Sequence, residues 1–233
     1  MPLRPDFSVR SPDYELMDDP AIGEAELRRT LRELETINGA LGGYATSLSA
    51  LETLLPSGRR SFTVLDVGCG GGDTARRIVD WAERRGLDAR VHGIDLSEAA
   101  VRHASAGAGP ALSFAARDLF DLPETETYDV VHAALLLHHC RGEDAVRALR
   151  KMHSLCRLGL IVNDLHRHPA AYYAIRALTA AFSRDRLIRH DAPLSVLRAF
   201  RRPCLEDLCR RAGLPEPELS WRWAFRWRMV VRR

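Results

Sequence analysis

The chain has 233 residues, 46% hydrophobic and 28% charged, enough to bury one large core within a single α/β domain. No apolar run reaches the ~20 residues of a membrane-spanning helix, and residues 1–6 lack the apolar core of a secretory signal. The net charge of +3 rests almost wholly on arginines interspersed with acids, which argues against a nucleic-acid footprint.

Residues 1 to about 20, rich in Pro and Asp, read as an extended arm. From Glu24 to Leu41, the positions Leu27, Leu31, Leu34 and Leu41 recur at helical spacing with charges between them. Asn38-Gly39 and Gly42-Gly43 punctuate the chain, and a second helix carrying Leu48, Leu51 and Leu55 runs to Pro56. Beyond Ser57-Gly58, strand-like runs at Phe62–Val67, Arg90–Ile94, Leu112–Ala116, Tyr128–Ala134 and Leu158–Asn163 alternate with helices. The helices are expected at Thr74–Arg85, from the N-cap Ser97 to about Ala106, and at Gly142–Cys156. Short apolar strands in such alternation indicate a parallel sheet covered on both faces.

Residues 165–200 break the alternation, with helices expected at Ala170–Phe182, Asp185–His190 and Pro193–Phe200. An insertion after the fifth strand lies at the carboxyl edge of the sheet, where open α/β folds bind ligands. It reads as a lid over a substrate pocket or as a peripheral packing unit. Leu205–Ala212 is a further helix, closed by Gly213. The tail Leu219–Val231 alternates Trp221, Trp223, Phe225, Trp227 and Met229 with Arg222, Ala224, Arg226 and Arg228, which is strand periodicity. Basic-aromatic interleaving also occurs in nucleic-acid binders; the reading taken is a final strand or an edge hairpin whose arginines face water. The domain thus divides into arm and helices (1–57), strand–helix core (58–164), insertion (165–202) and C-terminal helix with edge strands (203–233).

Chemistry concentrates at the strand ends. Asp66 is followed by Gly68-x-Gly70-x-Gly72, where glycines let the backbone lie against a ligand with no Cβ in the way. The following helix offers free N–H groups at its N-terminus. Asp73 stands where a dinucleotide fingerprint has its last Gly or Ala, and a carboxylate there would repel a pyrophosphate. Asp95, in Gly93-Ile94-Asp95-Leu96-Ser97, ends the second strand, where an acid accepts hydrogen bonds from ribose hydroxyls. Asp118, in Ala116-Arg117-Asp118-Leu119-Phe120, is placed to accept an adenine amino group while Leu119 packs on the ring. Small residues ending at Ala134 let backbone carbonyls reach a ligand ammonium.

Together, Val64–Gly72, Gly93–Ser97, Ala116–Pro123 and Tyr128–His139 resemble the four ordered motifs of class I S-adenosylmethionine (SAM)-dependent methyltransferases, over residues 62 to 164. The resemblance implies a Rossmann-like, mostly parallel sheet of seven strands with the last antiparallel, N-terminal helices and a helical lid after the fifth strand. It assigns the methionine end of SAM to Asp66, Gly68 and Gly70, the ribose to Asp95, and the adenine to Asp118 and Leu119. Gly72, Leu96 and Ala134 join them from the same segments. Within the family the chain is similar to the ubiquinone/menaquinone-biosynthesis-like group, and to bacterial methyltransferases found beside type III polyketide synthases. The segments Glu15–Pro20, Ile37–Gly43 and Asn163–Pro169 carry that narrower likeness, which implies a phenolic, quinol or polyketide-type acceptor in specialised metabolism.

For a hydroxyl acceptor, histidine suits the base because its unperturbed pKa lies near neutrality. The candidates are His138 and His139 after the fourth strand and His166 and His168 after the fifth. One of the His138-His139 pair could instead pack on the following helix. Catalysis is expected from His138, His139 and His166, with His168, Tyr172 and Tyr173 facing the substrate. Four histidines on adjacent loops could ligate a metal, but no zinc spacing is present and none is expected. Five cysteines without a CxxC pair or disulfide framework suggest reduced thiols in a cytoplasm. The expected partner is a small molecule, with no nucleic acid and no membrane span. An NAD-type oxidoreductase, a non-catalytic SAM-binding protein, an RNA methyltransferase and a C-methyltransferase are the rival readings.

Overall fold

Short hydrophobic strands alternating with amphipathic helices pack economically as one sheet with helices on both faces. A computed structural model describes residues 5–19 and 21–233; Met1–Arg4 and Pro20, the last residue of the Glu15–Pro20 motif, lie outside the described residues. The strands are β1 (Ser61–Val67), β2 (Asp88–Asp95), β3 (Leu112–Ala116), β4 (Tyr128–Ala134), β5 (Cys156–Leu165), β6 (Glu218–Arg222) and β7 (Arg226–Arg232). They form one sheet in the order β3-β2-β1-β4-β5-β7-β6. Every neighbouring pair from β3 to β5 is parallel, and β7 runs antiparallel to both β5 and β6.

The helices are α1 (Glu24–Ala40), α2 (Gly43–Leu54), α3 (Asp73–Glu83), α4 (Glu98–Ser105), α5 (Gly142–Ser154), α6 (Pro169–Phe182), α7 (Arg186–Arg198) and α8 (Arg202–Arg211). On one face of the sheet, Leu137, Leu149, Met152, Leu205 and Trp227 pack with Leu65, Val131 and Leu160. On the other, Leu51, Leu54, Ile78 and Trp81 pack with Val64, Val91, Val130 and Ile161. Alternate residues of one strand feed opposite cores, as period-two geometry requires. Truncating a fully buried leucine such as Leu160 would cost about 2–5 kcal/mol by leaving a cavity.

Two expectations are corrected. The insertion holds two helices, not three: α7 runs unbroken through Pro193. A proline inside a helix costs about 3 kcal/mol. Here Asp185 caps the helix at Leu187 and Ile188 N–H, and burial of Leu187, Ile188, Leu194, Val196 and Leu197 outweighs the loss. The tail is a hairpin, but its basic residues do not simply face water. β5 and β6 pair both edges of β7 and helices cover both of its faces, so Arg226 is buried with Trp227 and Met229. Trp221 and Trp223, read as apolar-face residues, are exposed at the hairpin.

Successive connections run from β1 outward to β2 and β3, then cross back to β4. The chain reverses its direction of winding between β1 and β4, and open α/β sheets bind ligands at the carboxyl edge of that point. Among the described residues no helix is long and apolar enough to cross a membrane.

Candidate active site

At that edge the loops after β1, β2, β3 and β4, together with α1, α6, α7 and the arm, enclose one cavity of about 1320 Å³. Single-ligand pockets commonly span about 300–1,000 Å³, so there is room for two ligands side by side.

One end is built by backbone. Asp66 is buried, and its Oδ1 meets His132 Nδ1 at 2.7 Å. Its Oδ2 is buried without a hydrogen-bond partner among the described residues, on a side chain that lines the cavity. Gly68 has φ +67°, and a Cβ there would sit 2.7 Å from Leu136 Cδ1. Gly70 N–H donates to Asp95 Oδ2 and Ser97 N–H to Asp95 Oδ1, both at 2.9 Å, so the carboxylate is fixed at the end of β2. Asp118 accepts from Phe120 N–H at 2.9 Å, turning the chain after β3. Leu96, Asp118, Leu119 and Ala134 complete this wall. Asp73 accepts the Tyr44 hydroxyl at 2.7 Å, which ties α2 to the start of α3.

Of the residues expected to hold the cofactor, Gly72 alone does not line the cavity. A Cβ there would meet the Phe114 ring at 2.8 Å, so its positive φ serves the packing of α4 and β3 against the loop. His132, overlooked in the sequence, backs the site. Its Nε2 meets Ser47 Oγ at 2.8 Å, Asn163 Nδ2 donates to the same oxygen at 2.9 Å, and Arg226 Nη1 reaches Asn163 Oδ1 at 3.3 Å. Burial lowers the Arg226 pKa to about 10. An alternating hydrophobic pattern hides such a chain, since a polar residue inside a covered strand reads as an interruption.

The other end is built by side chains from distant parts of the chain. His138 and His139 lie on a short 3-10 turn after β4. His138 is buried, its Nδ1 2.7 Å from Asp164 Oδ1, and its backbone N–H donates to Asp164 Oδ2 at 3.1 Å. His139 is 29% exposed, with Nδ1 3.0 Å from Asp18 Oδ1. The Nε2 atoms of both rings face Glu15, at 3.5 Å from Oε1 for His138 and 3.7 Å from Oε2 for His139. Burial works against a charged His138, but Asp164 and Glu15 outweigh it and raise its pKa to about 9. Burial would likewise raise Glu15, yet His138, His139 and Arg198 hold it below the usual carboxylate range.

The arm that brings Glu15 and Asp18 here is stitched down. Leu16 and Met17 N–H donate to the Asp191 carboxylate at 2.8 and 2.9 Å. Arg10 Nη2 donates to the His138 and Cys140 carbonyls at 2.7 and 3.0 Å. Arg198 Nε and Nη2 reach the His138 and His139 carbonyls at 3.3 and 3.1 Å. Glu15, Asp18 and Asp164 were not singled out as site residues in the sequence. An acid at the end of an otherwise apolar stretch of a doubly covered strand, Asp164, is the available signal for the last of them.

The remaining expected residues fall elsewhere. His166 and His168 do not line the cavity; the His168 ring stacks on Phe225 and the His166 ring lies tilted against Trp227 of β7. Burial, then His168 and the arginines Arg201 and Arg167, lower the His166 pKa to about 4. The α6 face turned to the cavity is Ala171, Ala174, Ile175 and Leu178, at helical spacing. Tyr172 and Tyr173 lie roughly one and two residue steps around the helix from Ala171, about 100° each. Accordingly Tyr172 packs edge-on against Phe7, and Tyr173 is 53% exposed.

The sheet order, strand directions and strand-end cavity are those of the Rossmann-like methyltransferase fold. Residues 64–159 match a family model described as a methyltransferase domain. Among solved structures, the chain is similar to human N-acetylserotonin methyltransferase in complex with SAM, at 19% identity and a TM-score of 0.61. That match covers 91% of this chain and 56% of the human one, so this chain spans little more than half the human protein's length. A SAM-dependent methyltransferase from Aquifex aeolicus matches at 14% identity and a TM-score of 0.63, covering 88% and 97% of the two chains. The plantazolicin methyltransferase BpumL, in complex with a monoazolic desmethylPZN analog and SAH, matches at 13% and 0.64, covering 90% and 96%.

Proposed function

We propose that this protein is a SAM-dependent methyltransferase of a small, largely apolar acceptor, and that the reaction is O-methylation of a phenolic, quinol or polyketide-type hydroxyl. The observation that carries the reading is the two-ended cavity, lined at one end by Asp66, Gly70, Asp95 and Asp118 and at the other by a histidine–carboxylate cluster. The unpartnered Asp66 Oδ2 suits the ammonium of the methionine moiety, since a buried acceptor without a donor costs about 1–3 kcal/mol. Asp95 suits the ribose and Asp118 the adenine edge.

Bound SAM supplies an electrophilic methyl group on a sulfonium that leaves as a neutral thioether. The chain's task is alignment, and well-oriented reactants gain effective molarities worth about 7–11 kcal/mol. The walls from α6 and α7, with Ile175, Leu178, Ile188 and Val196, exclude water and match an apolar acceptor body. The cluster of Glu15, His138 and His139 meets the acceptor's hydroxyl and favours the form that has lost its proton. His166 and Tyr173 are left out of this assignment because they stand outside the cavity.

The reading is tested by incubating the protein with methyl-labelled SAM and a panel of alkylphenols, quinols and alkylpyrones, and mapping the product by NMR. A labelled methyl ether is the expected product. Label on ring carbon would replace O- by C-methylation, and binding of NADH in place of S-adenosylhomocysteine would overturn the class.

A further inference from the structure

We propose that Glu15, His138 and His139 form a divalent-cation site at the acceptor end of the cavity. The inference rests on the methyl-transfer reading only for its role, not for its geometry. Each histidine has its Nδ1 on a carboxylate, Asp164 for His138 and Asp18 for His139. That arrangement leaves both Nε2 atoms to converge on a third carboxylate, and one donor atom from each of the three residues lies within 4.8 Å of the others. Histidines that ligate metals characteristically give their other ring nitrogen to a carboxylate in this way.

Distances separate a metal site from a hydrogen-bonded cluster. The Nε2-to-Glu15 separations of 3.5 and 3.7 Å exceed the ordinary hydrogen-bond range of about 2.7–3.2 Å. Two ligands each about 2.1 Å from a tetrahedral ion stand about 3.4 Å apart, which the observed spacing approaches. Glu15 is only 6% exposed, yet its Oε1 is buried with no hydrogen-bond partner among the described residues. The charges also fit. Glu15 and Asp18 share one guanidinium, Arg198, whose Nη1 lies 3.7 Å from Glu15 Oε1 and 3.4 Å from Asp18 Oδ2. That pair of carboxylates carries one negative charge more than Arg198 balances, and a dication would take the place of the proton that Asp164 and Glu15 otherwise hold on His138.

Two imidazoles and a carboxylate favour zinc or a neighbouring first-row dication over magnesium or calcium. Three protein ligands leave a position open, as in catalytic sites. A dication there would favour the anionic form of the acceptor oxygen. The hydroxyl proton would pass to water at the cavity mouth, and the oxygen's electron pair would form the O–C bond as the C–S bond breaks and its pair stays on sulfur. The lack of zinc spacing along the chain does not count against the site, because the third ligand comes from the arm.

The test uses untagged, chelator-stripped full-length protein titrated with Co²⁺ and Zn²⁺, followed by visible absorption and calorimetry, with S-adenosylhomocysteine binding measured on the same sample. One ion per chain with Co²⁺ ligand-field bands is expected. Glu15→Gln and His139→Ala should each weaken it by about 100-fold, and Asp18→Asn, which only loosens the His139 ring, by about tenfold. His166→Ala should bind as wild type. Absence of stoichiometric binding at micromolar metal, or equal affinity in Glu15→Gln and Asp18→Asn, overturns the site. Metal failure with S-adenosylhomocysteine bound breaks this proposal alone; metal bound without S-adenosylhomocysteine upholds the site and breaks the methyl-donor reading.

Discussion

The two ends of the cavity are made by different means. At the nucleoside end, strand-end loops supply backbone N–H groups and short acids; Asp118 is held by Phe120 N–H and Asp95 by Gly70 and Ser97 N–H of adjoining strand ends, while Asp66 alone leans on a distant side chain, His132. At the acceptor end, Glu15, His138, Asp164 and Arg198 come from the arm, the turn after β4, the end of β5 and α7. A site made locally tolerates change in distant elements. A site assembled from four elements depends on all of them, so its residues carry folding free energy as well as chemistry.

That contrast is broken most severely by removing a buried partner at the acceptor end. Asp164→Ala strands His138 in the core without its ion-pair partner, and should cost about 3–5 kcal/mol in urea unfolding. The matching truncation at the nucleoside end, Asp118→Ala, should leave stability nearly unchanged, because that carboxylate caps only a single exposed turn.

Next in size are effects on function. With His139 at the acceptor oxygen, His139→Ala should lower turnover by about 100-fold or more while leaving S-adenosylhomocysteine affinity within about twofold. Asp95→Ala should do the reverse where it counts, weakening S-adenosylhomocysteine by about ten- to a hundredfold through loss of charge-assisted hydrogen bonds. Equal losses of affinity in the two variants would erase the distinction between the ends.

A smaller effect concerns pH. In chelator-treated protein, His138 is raised from 6.5 to about 9, so its proton stabilises the fold fully below pH 6.5, and that contribution disappears as pH rises through 9. The urea midpoint should therefore fall between pH 7 and pH 10, and His138→Gln should flatten that slope. Least of all, Tyr173→Ala should change stability by no more than about 0.5 kcal/mol and turnover hardly at all, as befits an exposed side chain outside the cavity.

The same contrast explains what could be read from the amino-acid sequence. The strands β3 and β4 have the boundaries expected of them, and the glycine loop, Asp95 and Asp118 fall on one wall, because each signal is local: a period, a turn or a strand end. Glu15 and Asp18 could not be tied to His138 by any local pattern, since only the docking of the arm on α7 brings them together. His166 and Tyr172 fall outside the cavity for a related reason. Proximity to a strand end locates the backbone, but the turn into α6 decides which side chains enter the cavity, and Ile175 and Leu178 took that face. Arg226 shows the converse, an arginine in a pattern of alternating aromatics that became buried because β7 is an interior strand.

The most direct test is calorimetric titration of S-adenosylhomocysteine into wild-type protein, Asp95→Ala and His139→Ala. One ligand per chain is expected for wild type and His139→Ala, with affinity largely lost in Asp95→Ala. No binding to the wild type, or binding indifferent to Asp95, would contradict the account.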